Sequence, residues 1–438
     1  MNLYERDFDW TVKAGQPIER HFTVSGQSGV AVIDADNRRV IFKIPSSVVL
    51  ENLSVVSMKL GPEGVTEYFP DAASLHDFTN PVVVKVSCRN VVEEWTLYAE
   101  QVESTVSMTG VDVWTRVAWL KASGIEGGDN GFRIRKSGES VWRNVENVTS
   151  DGGSFSAMTG GLEPLTEYEC VAFSGDEVTD VSKFTTDAEA QLPNSGFETF
   201  SKAESSKYFS FYDPASSDPA LKTKWWGSGN KGSTTVGSSF AITKPDDTEK
   251  VEGEYSLKMA SQYVIIKFAA GNVFSGEYAK TLGTSGGVIH LGRPFTLRPR
   301  KLFVWLKYKS GIIQKKTLDG YPEDDVVKVG DNDRGIVWVA LGDWDFKEYG
   351  GTADCPVEVN TTKKETFFDS KGPNVIAYGR FVTDHDMEWT KVEIPLEYVS
   401  TSRRPTHIIV SCAASMLGDY FTGSPDSILW VDDFKLEY

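Results

Sequence analysis

Residues 302–308 alternate between two kinds of side chain, in the order Leu302-Phe303-Val304-Trp305-Leu306-Lys307-Tyr308. Successive side chains of a β-strand point to opposite faces of the sheet, so the even-numbered residues are predicted to face one side together. Trp305 and Lys307 then face the other side. Because a lysine does not belong in the core between two sheets, the side that carries Lys307 is predicted to be an outer face.

Two further runs show the same alternation. Residues 336–343 place Val337, Val339 and Leu341 inward and Trp338 outward. Residues 408–415 have an apolar face and an opposite face that carries Ser411 and Ser415. No window of 14 or more residues keeps a helical repeat of apolar positions. The pattern therefore predicts an all-β protein built of stacked sandwiches.

Length and charge limit the class of protein. The 438 residues suggest three domains at about 150 residues each. With 45 basic and 62 acidic residues the net charge is −17, which repels phosphate backbones and anionic lipid surfaces. The longest apolar run, 336–341, is far shorter than the roughly 20 residues of a membrane-spanning helix. We expect no nucleic-acid partner and no transmembrane segment. The charge does not exclude binding of a neutral ligand.

Changes in strand spacing and a linker-like stretch near 187–193 divide the chain into three predicted domains: residues 1–106, 107–190 and 191–438. The first domain contains residues 76–86 and Trp95-Thr96-Leu97-Tyr98, which resemble immunoglobulin-like modules of exported glycan-associated proteins. The second contains Leu162-x-Pro164-x-Thr166-x-Tyr168 and resembles a fibronectin type III domain. That resemblance implies a tyrosine corner at Tyr168, a core tryptophan at Trp119, and a spacer role.

The third domain carries the most specific resemblance. Its opening (192–198) and closing (428–436) resemble jelly-roll carbohydrate-binding modules, in which the first and last strands lie together. The stretches His290-Leu291-Gly292-Arg293-Pro294-Phe295, 304–308, 394–398 and 411–423 resemble the putative carbohydrate metabolism domain of surface proteins from gut-commensal bacteria. The resemblance implies a galactose-binding-like jelly roll, a saccharide ligand, and export as a lipoprotein to the periplasm or outer surface.

A saccharide pocket is expected on the outer face predicted from strand alternation. Aromatic rings cover the apolar faces of sugars, and a few polar groups fix the hydroxyls. One shared face is expected to present Trp305, Lys307, Trp338, Ser411 and Ser415, with Arg380 and Trp226 as further pocket candidates. The alternative is that loops 309–335 and 342–372 cover this face and that its aromatics form a second small core.

A structural calcium ion is a second expectation, and it comes from the resemblance to carbohydrate-binding modules. In those modules calcium often ties the first strand to the last through oxygen ligands. The matching positions are Glu198, Glu252, Asp432 and Asp433. The alternative is that Asp432 and Asp433 only solvate an edge strand. No cofactor is otherwise required.

Catalysis is not excluded by the sequence. Glycosidases need two carboxylates on either side of the scissile bond, but the ExDxxE pattern of one jelly-roll group is absent, as are GxSxG and HExxH motifs. The acids near aromatic runs are Asp343, Asp345, Glu388 and Asp419. A glycan-binding protein is the leading hypothesis, with other glycan-uptake surface proteins as possible partners. A glycoside hydrolase and a surface adhesin without a sugar site are the alternatives.

Cysteines and the N-terminus give less information. Cys88, Cys170, Cys355 and Cys412 form no CxxC pair, so four free and mostly buried thiols are expected. The alternative is one bridge between Cys355 and Cys412. The first seven residues have neither a basic leader nor an apolar segment. The export implied by the resemblance therefore requires a leader that precedes this chain.

Overall fold

A computed structural model describes residues 18–46, 48–102, 106–316 and 327–438. The N-terminal stretch and part of loop 309–335 therefore lie outside the described residues. The protein is nearly all β, which confirms the predicted fold class. It divides into two compact units: Met1–Val111, Trp119–Thr159 and Glu167–Phe184 form the first, and Asp112–Ala118, Gly160–Thr166 and Thr185–Tyr438 form the second. The three-domain division stays a prediction.

The N-terminal part contains sixteen described strands in four sheets. They are β1 (His21–Val24), β2 (Ser28–Asp34), β3 (Arg39–Pro45), β4 (Val55–Lys59), β5 (Thr66–Phe69), β6 (Val82–Cys88), β7 (Val91–Val102), β8 (Ser107–Val113), β9 (Ala118–Ser123), β10 (Asn130–Lys136), β11 (Arg143–Asn144), β12 (Thr149–Asp151), β13 (Ser154–Thr159), β14 (Glu167–Ser174), β15 (Glu177–Val178) and β16 (Ser182–Thr185). The sheet orders are β1-β4, β2-β3-β7-β6-β5, β12-β13-β9-β8 and β11-β10-β14-β15, with β16 also on β14.

Side chains at alternate positions of these strands are buried, as expected for a strand with one face in a core. In β3 the residues Val40, Phe42 and Ile44 are fully buried, and the Phe42 ring packs edge-on against Phe78 with centroids 5.3 Å apart. In β14 the predicted corner residue Tyr168 is buried and stacks on Phe184 at 5.8 Å. The immunoglobulin-like and fibronectin type III-like assignments stay predictions.

The prediction of Trp119 as a core tryptophan is wrong. In β9 the residues Ala118, Leu120 and Ala122 are buried, and Trp119 lies half-buried on the opposite side of the strand. The odd-numbered side of β9 therefore faces away from the core.

The second unit, called the C-terminal unit below, contains the other strands, which form two large sheets and a hairpin. They are β17 (Trp226–Gly227), β18 (Thr243–Asp246), β19 (Ser256–Ala260), β20 (Gln262–Val264), β21 (Lys267–Ala269), β22 (Asn272–Thr281), β23 (Gly287–Leu291), β24 (Arg293–Pro294), β25 (Lys301–Lys309), β26 (Gly335–Gly342), β27 (Val357–Asn360), β28 (Val375–Thr383), β29 (Met387–Pro395), β30 (Glu397–Tyr398), β31 (His407–Ala413) and β32 (Ile428–Glu437).

One sheet has five strands in the order β18-β19-β32-β25-β29. The other has nine: β27-β23-β22-β31-β26-β28-β30, with β17 on β22 and β24 on β31. Strands β20 and β21 form a separate hairpin. The described helices are short: α1 (Pro219–Lys222), α2 (Asn230–Ser233), α3 (Phe346–Tyr349), and 3-10 turns at Leu50–Asn52, Ala72–Ser74, Thr234–Val236, Ser238–Phe240, Lys364–Thr366 and Gly418–Tyr420.

The two large sheets pack face to face around one core. Leu302, Val304 and Leu306 of β25 are fully buried in it, as the alternation predicted. Val337, Val339 and Leu341 of β26 contribute from the nine-stranded sheet, together with the predicted apolar face of β31. Burying a side chain of this size contributes about 1.5–3 kcal/mol, so this core dominates the stability of the unit. The architecture is that of a β-sandwich compatible with a jelly roll.

The two ends of residues 190–438 lie side by side. The Tyr438 hydroxyl donates to the carbonyl of Ala190 at 2.7 Å, and Gln191 exchanges two hydrogen bonds with the backbone of Leu436. The Phe434 amide donates to the carbonyl of Ser195 at 3.1 Å. Residues 190–195, called the entering segment below, therefore lie beside the last strand, β32.

All four cysteines are free thiols, and Cys170, Cys355 and Cys412 are buried. Burial raises the pKa of Cys170 to about 12 and that of Cys355 to about 11, so neither forms a reactive thiolate near neutral pH.

Candidate functional site

One row of side chains crosses the outer face of the nine-stranded sheet. Strand register places Ser411 of β31 opposite Phe274 of β22 on one side and opposite Trp338 of β26 on the other. Trp338 in turn lies opposite Arg380 of β28. Directly paired residues point to the same side of a sheet, so the row presents an aromatic ring, a hydroxyl, an indole and a guanidinium in succession.

A cleft of about 550 Å³ lies over part of this face. Its floor includes Phe274, Ser411 and Trp338. Its walls are the β20–β21 hairpin, the turn between β22 and β23, and the segment 415–421. A volume of this size lies within the range of small-molecule sites, and a mostly apolar lining with few polar groups is usual for them.

Trp338 contributes to both the cleft and a second small core. Its half-buried ring stacks on Phe368 with centroids 4.6 Å apart and planes at 22°, and Trp344 and Val375 belong to the same apolar cluster. The loop 342–372 therefore covers part of the face, as the alternative interpretation expected. The covering is partial, because Trp338 and Phe368 both line the open cleft.

Polar side chains form the smaller part of the cleft lining, and Ser411 is one of them. In the described part of the chain the Ser411 hydroxyl makes no hydrogen bond, so it is available to a ligand. The charged side chains are Lys267 and Asp419. The Lys267 ammonium lies 3.6 Å from the centroid of the Phe421 ring and donates to the Ser285 carbonyl at 3.1 Å. Burial lowers the pKa of Lys267.

Asp419 is the acid of the cleft. Its side chain is exposed toward the cleft, and it makes no hydrogen bond or ion pair with the described residues. Partial desolvation of the carboxyl group by the cleft walls raises its pKa to about 6. The carboxyl therefore changes charge close to physiological pH.

The other acids near aromatic runs are engaged elsewhere. Asp343 makes a bidentate ion pair with Arg403, with oxygen to Nη2 distances of 2.7 and 2.8 Å. Asp345 caps α3 by accepting from the Lys347 amide. Glu388 pairs with Lys307 at 3.0 Å. Of these four predicted candidates, the structure brings only Asp419 into the cleft.

Ser415 lies at the cleft but its hydroxyl is used internally. It donates to Asp333 Oδ2 at 2.6 Å and lies 2.7 Å from the Ser261 hydroxyl. Asp333 Oδ2 also accepts from the Ser424 amide and the Ser427 hydroxyl. This buried network fixes both ends of the segment 415–427, which carries Asp419.

The predicted shared face is wrong. Trp305 and Lys307 lie on the outer face of the five-stranded sheet, whereas Trp338 and Ser411 lie on the outer face of the nine-stranded sheet. Each residue points away from the core as the alternation predicted, but the core separates the two pairs. Lys307 is also held by ion pairs, at 3.2 Å to Glu249 and 3.0 Å to Glu388.

The two further pocket candidates have different outcomes. Trp226 is a core residue: it is 1% exposed, its indole nitrogen donates to the Pro193 carbonyl, and its ring stacks on Phe434. Trp226 therefore lies outside the lining of the cleft, because its ring fills the space where the entering segment meets β32. Arg380 is exposed on the same face as Trp338, beside the cleft rather than in its lining.

The predicted calcium ligands meet at the loop 251–255. Asp432 is fully buried, and its Oδ2 accepts from the amides of Val251 and Glu252 at 2.9 and 3.0 Å. Glu198 accepts from the amides of Glu254 and Tyr255. The Glu252 side chain is exposed, so this residue contributes its amide rather than its carboxylate.

One oxygen of this group fits a cation. Asp432 Oδ1 is buried without a hydrogen-bond partner, which is unusual for a carboxylate. Burial raises the pKa of Asp432, and the nearby Glu198 carboxylate adds to this effect. Asp433 has φ 44° at a bulge in the pairing of β32 with β25. Within the described ranges, no three His, Cys, Asp or Glu side chains are grouped for a metal.

Sequence similarity assigns the C-terminal unit to a family. Residues 196–437 match the model of the family described as "putative carbohydrate metabolism domain", which confirms the resemblance. The chain belongs to this family. No curated protein sequence matches it significantly.

Two solved structures that are similar to this chain come from Bacteroides species. A putative glycoside hydrolase from Bacteroides thetaiotaomicron is 15% identical over 98% of this chain and 99% of its own, with a TM-score of 0.36. Another from Bacteroides vulgatus is 21% identical over 55% of this chain and 96% of its own, with a TM-score of 0.40. These similarities are too low to support an argument about function. In the described ranges, no helix has the length and hydropathy to cross a membrane.

Proposed function

We propose that the C-terminal unit binds a saccharide in the cleft on the outer face of the nine-stranded sheet. The observation that carries the proposal is the combination of a half-buried indole, Trp338, with two unpaired polar groups, Ser411 and Asp419, in one cleft. The indole offers a stacking surface to the C–H face of a sugar ring. The hydroxyl and the carboxylate can exchange hydrogen bonds with its hydroxyls.

Binding accounts for the lining better than hydrolysis does. Hydrolysis of a glycosidic bond uses two carboxyl groups about 5–9.5 Å apart, and within the described lining Asp419 is the single acid. Membership of a carbohydrate metabolism family supports a saccharide as the ligand. The oligosaccharide or polysaccharide is the partner, and it needs no cofactor.

A pair of matched tryptophan variants tests the proposal. A glycan array identifies a bound saccharide, and isothermal titration then compares Trp338→Ala with Trp305→Ala. Both residues are half-buried on outer faces, but of different sheets. Trp338→Ala should weaken binding by about 1–3 kcal/mol, as expected for an aromatic anchor, and Trp305→Ala should leave it unchanged.

Folding must be controlled, because Trp338 also packs on Phe368. Ser411→Ala removes only the hydroxyl and should weaken binding without changing the melting temperature. Wild-type affinity in both Trp338→Ala and Ser411→Ala would refute the proposed site. A loss confined to Trp305→Ala would place the site on the five-stranded sheet.

A glycoside hydrolase is the second candidate, and the observation in its favour is the unpaired carboxyl group of Asp419 in the cleft. A carboxyl with a pKa of about 6 is partly protonated near neutral pH and can act as a general acid. Release of reducing sugar from the bound glycan, abolished by Asp419→Asn, would support hydrolysis. Absence of release from a glycan that binds tightly would leave binding as the function.

Two further proposals accompany the binding function. Asp432 and Glu198 would be the carboxylates that hold a structural calcium ion, supported by the unpartnered Asp432 Oδ1. We also propose that the protein acts outside the cytoplasm, as the resemblance to exported surface proteins implies. Cell fractionation should recover the full-length protein with periplasmic or outer-membrane markers, and its recovery with cytosolic markers would contradict this location.

A further inference from the structure

Two isoleucines form the tip of the hairpin at the cleft. Val264 of β20 pairs with Lys267 of β21, so Ile265 and Ile266 are the whole loop. They are 68% and 76% exposed, and both line the cleft. We call this pair the hairpin tip.

Neither turn geometry nor burial explains these residues. Ile265 has φ 59°, in the left-handed region that disfavours β-branched side chains. Two-residue hairpin loops favour Gly, Asn or Asp at such a position. Side chains this exposed contribute little to the core. The positive φ of Ile265 and the exposure of both apolar side chains each cost folding free energy. Residues kept at such a cost indicate a function at that position.

The apolar surface of the hairpin tip continues into the cleft. Ile289, Ile336 and Val359 line the interior, together with Phe274 of the floor. Among the described lining residues, charge is confined to Lys267 and Asp419. A free sugar carries hydroxyls on most of its edge, and the aliphatic part of the lining gives those hydroxyls no partner.

We infer that the cleft takes a saccharide joined to an apolar group, such as an alkyl or aryl aglycone, and that the hairpin tip packs on that group. This inference rests on the proposed function and specifies its ligand class. Trp338, Ser411 and Asp419 hold the sugar, and the aliphatic residues cover the aglycone. A lipid bilayer is the less favoured partner for the hairpin tip, because both isoleucines line a concave cleft and the protein carries a net charge of −17.

The experiment compares alkyl glycosides of different chain length. Methyl and hexyl β-D-glucopyranosides and β-D-galactopyranosides are titrated against the intact chain below their micellar concentrations. If the hexyl chain enters the cleft, the hexyl compounds should bind at least about tenfold more tightly than the methyl compounds, because each buried methylene adds affinity. In Ile265→Gly/Ile266→Ser this ratio should decrease, because two of the apolar side chains that pack on the hexyl chain are removed.

The variant should fold, because glycine adopts a positive φ without strain. Its melting temperature should equal or exceed that of the wild type, and Ile266→Ser alone is the second variant if it does not. Leu165→Gly is the matched control: Leu165 is 71% exposed, has φ 51°, and is not part of the cleft lining. This control should keep the wild-type ratio.

The outcomes separate the two proposals. A hexyl-to-methyl ratio near one in the wild type, or an undiminished ratio in both hairpin-tip variants, would overturn the inference. The proposed function would still stand if a glycan bound in a Trp338-dependent manner. Sedimentation with phosphatidylcholine vesicles should show no binding. Vesicle binding that the hairpin-tip variants abolish would overturn the inference in favour of a membrane contact.

Discussion

Asp419 combines access to solvent with an environment that disfavours its charge. Its side chain opens into the cleft, while the surrounding protein raises its pKa to about 6 from an ordinary value near 3.8. As pH rises and this carboxyl ionises, its contribution to ligand binding should increase and its contribution to folding stability should decrease. The ionised form accepts hydrogen bonds from sugar hydroxyls, but forming the ion costs folding free energy.

Asp419→Asn should therefore change how stability depends on pH. The folded-state pKa is raised, so the folded protein binds this proton more tightly than the unfolded chain between pH 4 and 6, and the stabilisation is lost as pH rises through that window. The free energy of unfolding of Asp419→Asn minus that of the wild type should increase from pH 4 to pH 6.5. Urea titrations measure it, and a constant difference would contradict the assigned pKa.

Asp333 shows what a buried carboxylate requires. It is 3% exposed, burial raises its pKa, and two hydroxyls and two backbone amides donate to it. In the described structure no cation pairs with it. Neutral donors alone therefore satisfy this carboxylate, which makes it sensitive to any loss of acceptor capacity.

Asp333→Asn should destabilise the C-terminal unit by about 1–3 kcal/mol, because an amide cannot accept at both positions and leaves a buried donor unpaired. Denaturant unfolding measures the loss. Asp331→Asn is the control: Asp331 is exposed and accepts a single amide bond from Lys328, so its substitution should cost much less. Equal effects of the two substitutions would show that the buried network contributes nothing specific.

The bulge in β32 is the element that joins the entering segment to the last strand. The φ of 44° at Asp433 interrupts the pairing with β25, and Asp432 is directed toward the amides of loop 251–255. Four backbone amides donate to Asp432 and Glu198. The backbone thus performs part of the tethering that calcium was predicted to provide, and Asp432 Oδ1 remains available for a cation.

If calcium binds there, chelation should lower the melting temperature of metal-loaded protein, since a ligand of the folded state stabilises it. Asp432→Asn should remove the difference between loaded and chelated samples, whereas Asp433→Asn should retain it if Asp433 lies outside the ligand set. Differential scanning calorimetry with excess chelator makes the comparison. Identical melting curves before and after chelation would exclude the ion.

Strand alternation predicted correctly which side of β25, β26 and β31 faces the core. It could not predict which outer face each residue occupies, because that depends on which strands pair, and the paired strands lie far apart in the sequence. Trp305 and Trp338 have the same local pattern and lie on different sheets. Trp226 lacks a long strand around it, so its burial against Phe434 had no local signal.

The cleft walls were the least predictable part of the site. The hairpin β20–β21 is only three residues per strand, and Ile265-Ile266 contradicts the usual sequence of a tight turn. Asp419 lies in a 3-10 turn after β31 and was one of four comparable acids in the sequence. Its position in the cleft depends on the non-local bonds of Asp333 to Ser415 and Ser427.

At the scale of the whole molecule, the acidic surface should make the affinity for a charged ligand depend on salt concentration and leave the affinity for a neutral ligand almost unchanged. The net charge of −17 repels anions over distances of about a Debye length, near 10 Å at 0.1 M salt. A neutral saccharide releases no counterions when it binds. Its affinity should change by less than about twofold between 50 and 500 mM sodium chloride, measured by titration. A steep decrease would instead indicate a charged ligand.

The ends of residues 190–438, a stretch that contains every strand from β17 to β32, lie close enough together for its transfer into another protein. One hydrogen bond of 2.7 Å joins Tyr438 to Ala190, so an acceptor protein would have to open a surface loop by only a few ångströms to receive it. Insertion of a domain is tolerated best where its ends are close together and at the surface. The same proximity permits circular permutation, in which a short linker joins the two ends and the chain is reopened in the turn between β22 and β23.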